Sequence, residues 1–88
     1  MSARAQQRRV SMDRIESRKH AFALALETTF HWEDLMGPPD RRRPELNALQ
    51  RRLWAALSDL GWSSARIGLV VGRDHTTVLR GIKKARAR

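Results

Sequence analysis

Leucine recurs at positions 46, 49, 53, 57 and 60, at intervals of 3, 4, 4 and 3, in the stretch between Pro44 and Gly61. Residues three and four apart share one face of an α-helix, so this spacing predicts an amphipathic helix with a leucine edge to bury. Pro44 suits a first helical turn, where its missing N–H costs nothing. Glu45 suits the positive start of the helix, and Gly61 suits its stop. At 88 residues the chain has room for one small domain, and Leu, Ile, Val and Phe number only 19. The leucine edge must therefore be covered by other helices around a thin core. Cysteine is absent, which excludes disulfides, thiolate metal sites and cysteine nucleophiles.

The rest of the chain supplies those helices. From about Arg14 to Phe30, the positions Ile15, Phe22, Leu26 and Phe30 fall on one predicted helical face. Residues 31–36 read as a short capped turn with Trp32 and Leu35, and Gly37-Pro38-Pro39-Asp40 breaks the chain. Ser63 is a predicted N-cap for a short helix carrying Ile67, Val70 and Val71, and Gly72 ends it. Asp74 is a predicted cap for a last helix, with Val78, Leu79, Ile82 and Ala85 inward and Arg80, Lys83, Lys84 and Arg86 outward. Residues 1–13 are polar, rich in Arg and Gln and without period, and read as a flexible basic tail ahead of a helical domain spanning 14–88. The expected fold class is all-α, a small helical bundle. No repeat, strand pattern or long linker interrupts it.

Charge narrows the partners. Eighteen Lys and Arg against nine Asp and Glu give a net charge of +9, and 15 of the 18 are Arg. Arg grips phosphate and guanine edges bidentately, so a polyanion partner is expected. The charge is also unevenly placed: residues 21–40 hold four acids and no base, whereas residues 61–88 hold seven bases and one acid. A uniform codon bias would not leave such a gap. Two basic surfaces, one at Arg41, Arg42 and Arg43 and one near the C-terminus, are expected to face a common ligand. Residues 63–86 then read as helix, short turn and helix, the length pattern of a helix-turn-helix.

The run Gly72-Arg73-Asp74-His75-Thr76-Thr77-Val78-Leu79 resembles the signature of the C-terminal DNA-binding domain (domain IV) of the bacterial chromosomal replication initiator DnaA. Ile67-Gly68 matches the Ile-Gly of that family's first hairpin helix. Trp32-Glu33-Asp34-Leu35-Met36 followed by Arg41-Arg42-Arg43 is similar to its acidic-leucine segment and basic loop. The resemblance covers roughly residues 17–86. It implies an all-helical fold related to that of the Trp repressor. It also implies major-groove base contacts by Asp74, His75 and Thr76, with Thr77 beside them near a phosphate or a thymine methyl. An arginine of the loop, Arg41, Arg42 or Arg43, would enter the minor groove. Arg51 or Arg52 matches a basic phosphate-contacting position of the family, and phosphate contacts are expected at Arg51, Arg52, Ser63, Arg73, Arg80 and Lys83, the last four from their place on the hairpin. These residue types suit the roles: Asp accepts from cytosine, Thr offers a methyl to thymine, and Arg favours a narrow minor groove. The chain departs from the family in the hairpin turn, which is one residue shorter and lacks the double glycine. It also contains no Walker loop, so ATP-driven initiation is not expected of it.

The expected function is thus sequence-specific binding of double-stranded DNA, as a transcription regulator or activator working with a partner. Small activators of phage-like gene clusters, including gene transfer agents, carry domains resembling this one. The alternatives are a modulator of replication initiation or a phage replication accessory at initiator-type sites, and an RNA-binding protein. The partner would be the transcription machinery, a DNA-bending factor or a replication protein. It is expected to meet the acidic stretch Glu27, Glu33, Asp34 and Asp40, with Trp32 and Met36 as apolar anchors. No catalytic constellation is visible, so no enzyme, cofactor, metal or small-molecule substrate is expected. Trp54 and Trp62 read as packing residues, and His20 and His31 as surface residues without metal spacing. The longest apolar run, Ala21 to Leu26, is six residues, too short for a membrane span or a signal-peptide core. A cytoplasmic, nucleoid-associated protein is expected.

Overall fold

The computed structural model describes the backbone of residues 3–87 and the side chains of residues 8–87. Within them the chain forms five helices and no strand: α1 (Ala3–Ala25), α2 (Trp32–Met36), α3 (Pro44–Asp59), α4 (Ser64–Val71) and α5 (His75–Arg86). The expected all-α class is the observed one. Helix α3 is the hub of the described residues, packing on α1, α2, α4 and α5. Leu46, Leu49, Leu53, Trp54 and Leu57 of α3 are buried, and Ala21, Ala25, Leu35, Trp62, Ile67, Val70, Val71, Val78 and Ile82 join the core from outside it. Leu60 was expected on this edge but is exposed, because it caps the C-terminus of α3, where the chain turns through Gly61 at φ 94°. Leu79, expected inward, is also exposed, while Val78 and Ile82 carry the buried face of α5.

The element ends follow from local chemistry. Ser63 caps α4 by accepting the Arg66 N–H at 3.1 Å. Gly72 closes α4 in the left-handed conformation (φ 70°), which lets the Arg73 N–H return to the Gly68 carbonyl at 3.0 Å. Asp74 then caps α5 by accepting the Thr76 N–H at 3.0 Å. A β-carbon on Gly68 would collide with the Arg73 carbonyl, so glycine at that position permits the tight turn between α4 and α5.

Helix α1 departs most from expectation. It begins at Ala3 and runs through the segment read as a flexible tail; Met1 and Ser2 of that segment lie outside the described residues. Ala, Arg and Gln are strong helix formers, so residues 3–12 are helical by propensity although they carry no amphipathic pattern. At its other end the helix stops at Ala25 rather than Phe30, where Thr28 folds back to bond the Ala25 carbonyl through N–H and Oγ1, each at 2.9 Å. The buried face is Asp13, Ser17, Ala21 and Ala25. The expected apolar face is instead exposed: Ile15 is 50%, Phe22 54% and Leu26 68% accessible. Small residues at i, i+4 spacing let α1 lie close against the core, and the large side chains are turned away. Asp13 is held by Arg66 of α4 in a two-pronged ion pair (2.9 and 2.8 Å), and Arg66 stacks 3.9 Å over the Trp62 ring.

Candidate functional site

A groove of about 280 Å³ runs between α3 and α5, lined among others by Asn47, Arg51, Trp54, Arg73, Thr77, Arg80 and Lys84. Four of these side chains are cations, none in an ion pair among the described residues. Their convergence has a packing cause. Gly81 faces α3 without a side chain, and a β-carbon there would strike the Trp54 ring. The two helices therefore approach closely, and Arg51 on one lines the same groove as Arg80 and Lys84 on the other. Like charges that share one groove repel and favour an anion between them. Trp54 lines the same groove, and its buried indole N–H has no acceptor among the described residues.

Beside the groove stands the first turn of α5. Asp74, His75, Thr76 and Thr77 are all exposed. Thr77 lines the groove, while Asp74 and His75 line a shallow recess on its other side with Gly72 and Leu69, and Arg73 belongs to both. The Asp74 carboxylate is engaged as a cap, and the Thr76 N–H bond holds its pKa below the ordinary carboxylate value. His75 Nδ1 lies 3.6 Å from Asp74 Oδ1. The turn thus presents a carboxylate, an imidazole and two hydroxyls at a capped helix start.

The basic loop is built rather than loose. Asp40 and Asn47 clamp each other, the Asp40 N–H donating to Asn47 Oδ1 at 3.0 Å and the Asn47 amide to the Asp40 carbonyl at 2.9 Å. The Asp40 carboxylate also accepts the Arg42 N–H at 2.9 Å. Buried Gln50 donates to the carbonyls of Asp34, Gly37 and Pro38, at 2.9, 3.2 and 3.2 Å, tying the proline break to α3. Arg41 and Arg42 are exposed at the tip, whereas Arg43 stacks 4.7 Å over the Phe30 ring and is half-buried. Pro39 lines the basic groove, so loop and groove are continuous.

Of the residues expected at phosphates, Arg51, Arg73 and Arg80 share the groove. Arg52 and Lys83 are exposed outside its lining, and the Ser63 hydroxyl is engaged as the cap of α4. Asn47, Trp54 and Lys84 complete the groove; Lys84 was read as outward-facing but not assigned to the site, although it lies i+4 from Arg80. The acids expected to meet a partner are partly engaged in local structure: Asp34 accepts the His31 N–H at 3.1 Å and Asp40 holds the loop. Among the described residues no three His, Asp or Glu side chains converge as metal ligands, and no helix is long and apolar enough to cross a membrane.

Comparison of the chain with protein-family models, with curated proteins and with solved structures gave no match.

Proposed function

We propose that this chain is a sequence-specific double-stranded DNA-binding protein. In this reading α4, the Gly72 turn and α5 act as a helix-turn-helix, with the start of α5 in the major groove. The observation that carries the proposal is the groove of four cations, unpaired among the described residues, beside an exposed polar helix start and continuous with a clamped arginine loop. Phosphates of one strand fit the cations Arg51, Arg73, Arg80 and Lys84. His75, Thr76 and Thr77 then meet base edges, and Asp74 both caps the helix and faces them. Arg41 or Arg42 reaches the adjacent minor groove. Arg43 is less suited to it, because it is stacked on Phe30. The likeness of residues 72–79 to the initiator's DNA-binding signature supports the same assignment.

Within this class the chain acts as a transcription regulator with a partner protein, since one hairpin reads only a few base pairs and buries little surface. The test is selection from a random duplex library, followed by competition with RNA. A preferred duplex sequence should emerge and resist RNA competitor. His75→Ala and Thr76→Ala should each cost about 1–3 kcal/mol on that sequence and much less on unrelated duplexes. Equal losses on all sequences would refute base reading by α5.

A further inference from the structure

Most of the large apolar side chains of α1 face solvent. Met12, Ile15 and Phe22 of α1, and Leu26 in the turn that directly follows it, are exposed, and Lys19 stands among them, so positions 12, 15, 19, 22 and 26 follow one another at alternating intervals of three and four. That is the seam spacing of a helix made to pair with another helix. Four of the seven exposed large hydrophobics in the described residues lie on this line, which makes them a patch rather than scattered surface residues. The helix is 23 residues long, about 34 Å at 1.5 Å per residue, long enough to carry a seam of this length.

We propose that the exposed stripe of α1 is a docking surface for an acidic amphipathic helix of a partner protein. Charge complementarity selects the occupant. Arg8, Arg9, Arg18 and Lys19 lie exposed along the stripe and its borders. The acid beside them, Glu16, already neighbours Lys19 at 3.9 Å and His20 at 3.8 Å. A helix with leucines on its seam and carboxylates at its edges answers both the apolar line and the cations. A second copy would bring the same cations against their equals. An anionic membrane surface would answer the charge, but the stripe is interrupted by Lys19. It is also flanked by a concave cleft of about 340 Å³ lined by Arg18, Lys19, Phe22 and Trp32, which is shaped for protruding side chains rather than a flat surface. The stripe is separate from the proposed DNA groove, since α1 packs on α2, α3 and α4 whereas the groove lies between α3 and α5.

The probes are two synthetic heptad-repeat peptides with the same leucine seam, one flanked by Glu and one by Lys. Titrated into the full chain, the Glu-flanked peptide should bind at least about tenfold more tightly than the Lys-flanked one, and salt should weaken it. Phe22→Glu and, separately, Ile15→Ser should each reduce this binding by about tenfold or more. Both should leave thermal unfolding and duplex DNA affinity unchanged, because both side chains are exposed and outside the groove. Equal binding of the two peptides, or binding of neither, overturns the proposal. Sedimentation showing a dimer that Phe22→Glu dissociates overturns it in favour of a second copy. Binding to phosphatidylserine vesicles but not to the peptide overturns it in favour of a membrane surface. Loss of DNA binding in the random-library test would leave these peptide outcomes standing.

Discussion

At Gly81 a single hydrogen in place of a methyl group decides how close α3 and α5 come, because the Trp54 ring occupies the space a β-carbon would need. Gly81→Ala improves helix propensity by about 1 kcal/mol but drives a methyl into a buried ring. Overpacking of that kind costs about 1–3 kcal/mol, so the variant should melt at lower temperature, with a changed tryptophan fluorescence. Unchanged stability would mean that the two helices separate freely. Asp74 makes a different prediction. Its carboxylate accepts the Thr76 N–H, so its pKa is lowered in the folded chain. A group with a lowered folded-state pKa contributes its full stability above its unfolded value, about 3.9, and loses it as the pH falls through the folded value. The Thr76 amide resonance should therefore shift with a midpoint below about pH 4, and Asp74→Asn should abolish that titration while keeping a cap. A midpoint at or above the ordinary carboxylate value would contradict the bond.

The elements were unequally legible in the sequence, and the differences have physical causes. Helix α3 was readable from end to end because a leucine edge, a first-turn proline and a terminal glycine all point the same way. The ends of α4 and α5 were readable because Ser63, Gly72 and Asp74 form caps whose chemistry is local. Leu60 departs from its periodicity because it caps the helix end, and Leu79 lies exposed beside buried Val78. Helix α1 differs from its sequence pattern in both extent and face. Its burial rests on Asp13, Ser17, Ala21 and Ala25, residues that hydrophobic periodicity weights weakly or counts as polar. The Asp13–Arg66 pair joins residues 53 apart in the chain, and nothing local announces it. Asp13 is nearly fully buried and Arg66 only partly so. Asp13→Ala should therefore cost about 1.5–3 kcal/mol, the range for a hydrogen bond to a charged group, and should loosen α1 first. Hydrogen exchange should report faster opening in α1 than in α3 or α5; uniform loosening would contradict a local clip.

On the scale of the molecule, the folding of a thin helical core sorts the charge. Arg51, Arg73, Arg80 and Lys84 come from three segments that the sequence presents separately, and only the close contact of α3 with α5 gathers them. The basic character of each segment was readable; their union in one groove, and the membership of Asn47, Trp54 and Lys84, depended on packing. The loop cations Arg41 and Arg42 extend this surface past Pro39. Six cations in one footprint set a quantitative expectation for any duplex ligand. The most direct measurement is the dependence of duplex affinity on salt. The log–log slope should be about −5, from roughly −0.9 for each phosphate neutralised, and Arg51→Ala combined with Arg80→Ala should flatten it by about 2. A slope near zero, or one that these two substitutions leave unchanged, would contradict the claim that this groove binds DNA.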